Sequence, residues 1–216
     1  MSASVIEVPT PAGLGRITVT RPLESAGRAR GLLVLGHGAG GSRWTNDVVA
    51  VQDVAVGAGW VVALADQPWR VAGKKVATRP PVLDQAWPAL VAAALEEAGA
   101  GERAAFPLVV GGRSAGARVA CRTCSQVGAD AVLALSFPLH PPGKPEMSRA
   151  DELRLPVLDG LPLRVIQGQR DPFGTPDDVR AELSVRHGVI AVAGTHSLRD
   201  PSAVATAAGE WLATLV

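Results

Sequence analysis

Three side chains in this sequence form a set that could carry out nucleophilic catalysis. Ser114, Asp171 and His196 follow one another in that order. A serine hydroxyl is a weak nucleophile at neutral pH, so a histidine must accept its proton and a carboxylate must orient the histidine. Serine, acid and histidine in this chain order are typical of one large class of such sites. We therefore predict acyl transfer, with Ser114 as nucleophile, His196 as base and Asp171 as its partner.

The local context of Ser114 is typical of a nucleophile held at a sharp turn. Residues 112–116 match G-x-S-x-G. An apolar run precedes them and a helix-like segment begins at Ala115, which is the strand–turn–helix setting that the pattern requires. Gly112 and Gly116 relieve crowding in such a turn. The alternative is a glycine-rich turn in which the serine is incidental.

A second glycine-rich loop, Gly-His-Gly-Ala-Gly-Gly at 36–41, follows another apolar run. It is similar to the H-G-containing loops that donate a backbone N–H to an oxyanion. We predict that the amides of Ala39 and Ala115 are the two donors, because glycines let the backbone approach a tetrahedral intermediate closely.

The same loop also fits the dinucleotide fingerprint G-x-G-x-x-G, with Asp66 placed to contact a ribose. A dinucleotide-binding oxidoreductase is therefore an alternative. The fingerprint requires a helix that begins among the glycines, and Ser42, Arg43 and Trp44 do not resemble helix interior. The alternative also leaves Ser114 and its two predicted partners unexplained.

The elements that must position these residues can be read from short apolar runs that alternate with helix-length segments. This alternation predicts a mostly parallel sheet with helices on both faces, a three-layer αβα sandwich, preceded by an N-terminal antiparallel hairpin. Asp171 and His196 each follow a predicted strand, where catalytic groups gather in parallel sheets. The predicted strands cover about 4–9, 15–20, 31–36, 60–65, 107–111, 131–137, 163–168 and 188–193, the last at an edge. The predicted helices cover about 45–58, 80–98, 115–127, 176–185 and 200–214, and 137–160 is predicted to leave the sheet.

Composition limits the classes of protein that this chain can represent. The 216 residues, 47% hydrophobic and 19% charged, predict a single globular domain over 1–216. A net charge of +1 gives no indication of binding to nucleic acid or to a membrane surface. The first residues do not resemble a signal peptide, and no apolar run is long enough for a membrane helix. We expect a cytoplasmic protein with reduced cysteines.

Several sequence strings resemble the α/β-hydrolase superfamily near its dienelactone-hydrolase-like branch. More narrowly, they are similar to a small family of predicted bacterial hydrolases related to testis-expressed and chromatin-complex (non-specific lethal subunit) hydrolase-like domains. The resemblance implies an α/β-hydrolase fold and the triad Ser114, Asp171 and His196, but no particular substrate. Ala117 stands where relatives often have a second glycine. The matching strings lie at 35–40, 111–119, 137–145, 167–174 and 196–198.

Four further residues are candidates for the substrate pocket: His37, Arg113, His140 and Trp69. For Arg113 the alternatives are binding a carboxylate or bracing the sheet edge. His140 is interpreted first as a loop histidine held in place by prolines, and Trp69 could equally have a packing role. Cys121 and Cys124 form C-x-x-C, but both lie well inside a predicted helix, so we interpret them as buried small residues and expect no metal.

The sequence thus predicts a serine hydrolase that cleaves an ester, thioester or lactone of a small molecule without a cofactor. Its expected partner is that substrate, with no nucleic acid and no membrane, and no feature specifies an oligomeric state. A non-catalytic binding or scaffold protein on the same fold is the other alternative.

Overall fold

All the strands that the structure describes belong to one sheet. The computed structural model describes residues 2–23, 28–40, 44–99, 106–183 and 188–216. The strands are β1 (Ser2–Thr10), β2 (Gly13–Arg21), β3 (Leu32–Gly36), β4 (Val61–Asp66), β5 (Leu108–Arg113), β6 (Ala131–Leu135), β7 (Leu163–Gly168) and β8 (Val189–Val192). Their order across the sheet is β1-β2-β4-β3-β5-β6-β7-β8.

The sheet is antiparallel at its N-terminal side and parallel elsewhere. Strands β1 and β2 form a hairpin, and β2 also pairs antiparallel with β4. Every other pairing, from β4 through β3, β5, β6 and β7 to β8, is parallel. This confirms the predicted hairpin and parallel sheet. The carboxyl ends of six strands therefore meet at one edge, where Ser114, Asp171 and His196 follow β5, β7 and β8.

Helices cover both faces of the sheet. They are α1 (Asn46–Gly57), α2 (Pro68–Val71), α3 (Pro80–Glu97), α4 (Ala115–Thr123), α5 (Ala150–Leu158), α6 (Pro176–Glu182) and α7 (Pro201–Leu212). Leu33 and Leu35 of β3 pack with α1 and α7 on one face. Leu32 and Val34 of the same strand pack with α3, α4 and α5 on the other. Alternate residues of a strand point to opposite faces, so a continuously apolar strand is what a three-layer sandwich requires.

Two helices were not expected from the sequence. Helix α2 is a single turn after β4, and α5 lies inside the segment 137–160 that was predicted to leave the sheet. Pro156 lies within α5, where proline is unfavourable because it removes a backbone hydrogen bond.

The end of the helix predicted over 176–185 lies partly outside the described residues, and α4 ends at Thr123 rather than at 127. In the parts of the chain that are described, no helix is long and apolar enough to cross a bilayer.

Helix α5 is joined to α4 by a set of charged side chains. Arg118 donates to both carboxylate oxygens of Glu152 at 2.8 and 2.6 Å. Arg122 donates to Glu152 at 2.6 Å and to Asp84 of α3. Glu152 is only 22% exposed, so its removal would leave two largely buried guanidinium groups without this carboxylate.

We expect Glu152→Ala to lower the free energy of unfolding by about 2 kcal/mol, because charged hydrogen bonds in partly buried sites are costly to break. Asp151→Ala is the matched control. It removes the neighbouring acid from the same first turn of α5, but Asp151 is fully exposed, and the control should change stability little. Urea unfolding of the three proteins measures the difference, and equal losses would contradict the structural role of Glu152.

Candidate active site

Ser114 lies in a strained turn between β5 and α4. Its backbone angles are φ 53° and ψ −107°, a region that non-glycine residues rarely adopt. Ser114 N donates to Leu135 O of the neighbouring strand at 2.9 Å, which anchors the turn. A Cβ atom at Gly112 or Gly116 would lie 2.3 or 2.4 Å from the carbonyl oxygen of Gly36. The turn therefore needs glycine at both positions, because the end of β3 occupies the space of a side chain.

The three residues of the predicted triad lie within hydrogen-bond distance of one another. His196 Nε2 is 2.9 Å from Ser114 Oγ. His196 Nδ1 is 2.9 Å from Asp171 Oδ2. The Asp171 side chain is fully buried, whereas that of His196 is 19% exposed. A proton can therefore pass from Ser114 Oγ to Nε2 while the carboxylate holds the other ring nitrogen.

The predicted oxyanion loop passes beside Ser114. A methyl group on Gly38 would lie 3.8 Å from Ser114 Cβ, and Ala39 is the next residue. Ala115 is the first residue of α4, where backbone N–H groups have no intrahelical partner. Both predicted donors thus lie on backbone that adjoins Ser114. Gly41, Ser42 and Arg43 lie outside the described residues.

Comparisons with known proteins identify the family. The model of the α/β-hydrolase domain matches residues 29–214. The chain belongs to the α/β-hydrolase family. A search of curated proteins found no match.

Solved structures share this fold at low sequence identity. An α/β serine hydrolase homologue from Coxiella burnetii superposes with a TM-score of 0.77 at 13% identity, over 98% of each chain. A serine hydrolase without a lid from Xanthomonas campestris gives 0.68 at 14%, over 98% of this chain and 95% of that one. Dienelactone hydrolase from Anabaena variabilis gives 0.67 at 17%, over 99% and 97%.

Two residues of the hydrolase site were missed by sequence reasoning. Gln167, at the end of β7, donates to Asp171 Oδ2 at 3.1 Å. The ring of Phe173 lies 4.3 Å from that of His196, between centroids. Gln167 does carry a sequence signal, because it is a polar residue near the end of an otherwise largely apolar strand. Phe173 carries none beyond its closeness to Asp171.

Arg113 braces the site. Its Nη2 donates to the backbone oxygen of His196 at 2.6 Å, and its Nε lies 3.2 Å from Asp47 Oδ2 in α1. The guanidinium thus joins the turn at Ser114 to the loop that carries His196. Of the two alternatives for Arg113, the structure favours bracing, because its charge is already paired.

His37 and Trp69 are buried. Both nitrogens of His37 have partners, since Gln67 N donates to Nε2 at 3.0 Å and Nδ1 lies 2.8 Å from Gly38 O. The ring also contacts Trp69 and Trp44 edge-on. His37, Trp69 and Trp87 line a small space of about 10 Å³. The His37 ring therefore supports the predicted oxyanion loop from within, and its place in a substrate pocket stays a prediction.

His140 lies beside the loop that carries Asp171, because its backbone N donates to Phe173 O. Its side chain is half-buried, with Nδ1 2.9 Å from Pro141 O. Cys121 and Cys124 are buried thiols, and burial raises the pKa of both. Both are therefore protonated at neutral pH, as expected of buried small residues.

The dinucleotide interpretation does not fit the structure. Helix α1 begins at Asn46, well past the glycines of the loop, whereas the fingerprint needs its helix to start among them. Asp66 is buried, receives hydrogen bonds from Arg16 and lies 3.3 Å from Arg70. Its carboxylate is thus engaged by two arginines and is not open to a ribose.

We expect Gly116→Ala to lower the free energy of unfolding by about 3 kcal/mol, because its methyl group would collide with the backbone of Gly36. Gly57→Ala is the control, since Gly57 also lies in a helix and nothing is within 4 Å of the added methyl group. The control should be neutral or slightly stabilising. Thermal unfolding of both variants tests this, and an equally stable Gly116→Ala would contradict the close packing.

The burial of His37 predicts a pH-dependent stability. Burial lowers the pKa of His37 from 6.5 to about 4, so between these values the unfolded chain binds a proton that the folded chain excludes. Stability should therefore decrease as the pH falls through this range, by about 2 kcal/mol between pH 7 and pH 5 from this group. Urea unfolding at pH 7, 6 and 5 should show a shallower dependence for His37→Gln. Ser202→Ala, which removes an exposed side chain of α7 that does not titrate in this range, should keep the wild-type dependence.

Proposed function

We propose that this protein is a serine hydrolase that cleaves an ester, thioester or lactone bond of a small molecule. The observation that carries the proposal is the pair of 2.9 Å distances from His196 to Ser114 Oγ and to Asp171 Oδ2. Ser114 also has the strained backbone of a nucleophile at a sharp turn, which supports the same role.

The proposed reaction has two halves. Ser114 Oγ attacks the substrate carbonyl carbon as its proton passes to His196 Nε2, while Asp171 stabilises the imidazolium that forms. The amides of Ala39 and Ala115 donate to the oxyanion. The tetrahedral intermediate then expels the alcohol or thiol, which takes the proton from His196. Water, deprotonated by His196, attacks the acyl-serine and releases the acid and the free Ser114 hydroxyl.

We expect the substrate to be small. A cavity of about 300 Å³ lies beside the site and is lined by sequence neighbours of Ser114 and His196 rather than by the triad itself; its lining residues are Thr45, Asn46, Asp47, Arg113, Ser197 and Leu198. The Xanthomonas neighbour is described as having no lid, and the chain matches nearly its whole length. Neighbours described as esterases and as dienelactone hydrolase support an ester-type bond.

A fluorophosphonate probe tests the nucleophile without knowledge of the substrate. Wild-type protein should be labelled at Ser114 and should hydrolyse short-chain p-nitrophenyl esters or thioesters. Ser114→Ala should lose labelling, and its turnover should fall by roughly 10⁴-fold or more, because the covalent route is removed. Ser202→Ala, which removes an exposed serine of α7, should retain both properties.

Equal labelling of wild type and Ser114→Ala would contradict the assignment of the nucleophile. Absence of both labelling and turnover in the folded wild type would instead favour a binding or scaffold protein on this fold.

A further inference from the structure

We propose that Gln167 is a positioning residue, which holds the Asp171 carboxylate in place for His196 and ties together the two loops that flank it. This inference rests on the proposed function, since it assigns a supporting role within the same site. Gln167 is fully buried near the end of β7, and its side chain reaches beyond the strand toward the loops.

The orientation of the Gln167 amide is determined by its neighbours. Its Nε2 is 2.7 Å from Gly174 O, 3.1 Å from Phe137 O and 3.1 Å from Asp171 Oδ2. All three neighbours are acceptors, so the nitrogen and not the oxygen must face them. Two N–H groups serve three acceptors, and the amide therefore cannot turn without leaving several of them unpaired in the core.

Asp171 depends on this donor. Its Oδ2 receives hydrogen bonds from both Gln167 and His196, and its Oδ1 receives one from Phe173 N at 2.9 Å. A fully buried carboxylate is costly to leave without hydrogen-bond donors, and such donors hold it in one orientation. Gln167 is the side-chain donor that approaches the same oxygen as His196, so it shares the charge that acts on the imidazole.

The same amide joins two loops. Phe137 O belongs to the segment that leaves β6. Gly174 ends the turn that begins at Asp171, which is closed by Gly174 N donating to Asp171 O at 3.2 Å. A backbone hydrogen bond from His140 to Phe173 connects these loops a second time, and the Phe173 ring lies against His196. Among the described residues, Arg113 also contacts His196, since it binds the His196 backbone oxygen while its charge is paired with Asp47. Gln167 therefore acts on the acid side of the triad, while Arg113 acts on the loop of the base.

A purely structural role and a positioning role predict different pH profiles. If Gln167 only fills the core, its variants should lose part of the folded population, and the remainder should react like wild type at every pH. If it shares the charge of Asp171, the reactivity of Ser114 should change with a pH dependence set by the new side chain.

The experiment compares Gln167→Met and Gln167→Glu by the rate of fluorophosphonate labelling of Ser114 between pH 5 and pH 9. The labelling end point counts the competent sites, so the rate is corrected for any misfolded fraction. For Gln167→Met we expect a labelling rate that is roughly 10- to 100-fold lower than that of wild type. The pH at which the labelling rate rises should also be higher, because the negative charge on Asp171 Oδ2 is no longer shared with Gln167 and stabilises the protonated His196 more strongly. Its rate relative to wild type should therefore improve as the pH rises.

For Gln167→Glu we expect the opposite trend. A protonated carboxyl can donate one hydrogen bond, but on ionisation it repels Asp171 and faces two carbonyl oxygens. Its rate relative to wild type should therefore worsen as the pH rises. Gln52→Met is the matched control, since Gln52 lies half-buried on α1 and its amide approaches Thr20 at 3.4 Å. It should keep the wild-type rate and profile.

The outcomes separate this inference from the proposed function. Opposite pH trends in the two Gln167 variants would support the positioning role. If wild type is labelled and either trend is missing from a variant with competent sites, the role assigned to Gln167 is wrong while the hydrolase proposal stands. If folded wild type is not labelled, the proposed function itself fails.

Discussion

The site depends on the contact between the end of β3 and the turn that carries Ser114. The Gly36 carbonyl group lies where side chains at positions 112 and 116 would be, so the sheet and α4 can approach only because both residues are glycine. This closeness lets the chain pass from β5 into α4 within one residue. That residue, Ser114, adopts the strained backbone angles and lies beyond the strand ends.

The strain at Ser114 is maintained by ordinary packing on all sides. Buried strands lie on both sides of β5, and Ser114 N is bonded to Leu135 O of β6. The charged set around Glu152 joins α4 to α5 behind the turn. A strained conformation persists only where surrounding structure determines it, and here the parallel sheet and these helices supply that determination.

Around the turn, short polar contacts hold the loops that follow the strands in defined positions. Arg113 links the turn to the His196 loop and to α1, and Gln167 links Asp171 to two loops. His37 supports the oxyanion loop from within, and its burial keeps it neutral. These groups are largely buried, so their charges and hydrogen bonds act in a medium of low dielectric constant and orient their partners more strongly than exposed groups would.

The sequence by itself determined the fold class, the hairpin, the parallel sheet and the three residues that the structure brings within hydrogen-bond distance. These features follow from local patterns: continuous apolar runs, glycines around a serine, and polar residues just after strands. Helix α5 was missed because its local signal is masked by Pro156 and the prolines before it.

Only the tertiary structure decided the roles of residues whose partners are distant in the chain. Gln167 reaches Phe137 because β7 pairs with β6 in a particular register. Arg113, at the end of β5, reaches the loop after β8 across the ends of the two strands that lie between them. No local pattern specifies either contact. His37 was expected in the substrate pocket, and in the structure its buried ring packs edge-on against Trp44 and Trp69. Such placements depend on packing between elements, and the physical cost of burying a polar group then requires that its partners be present.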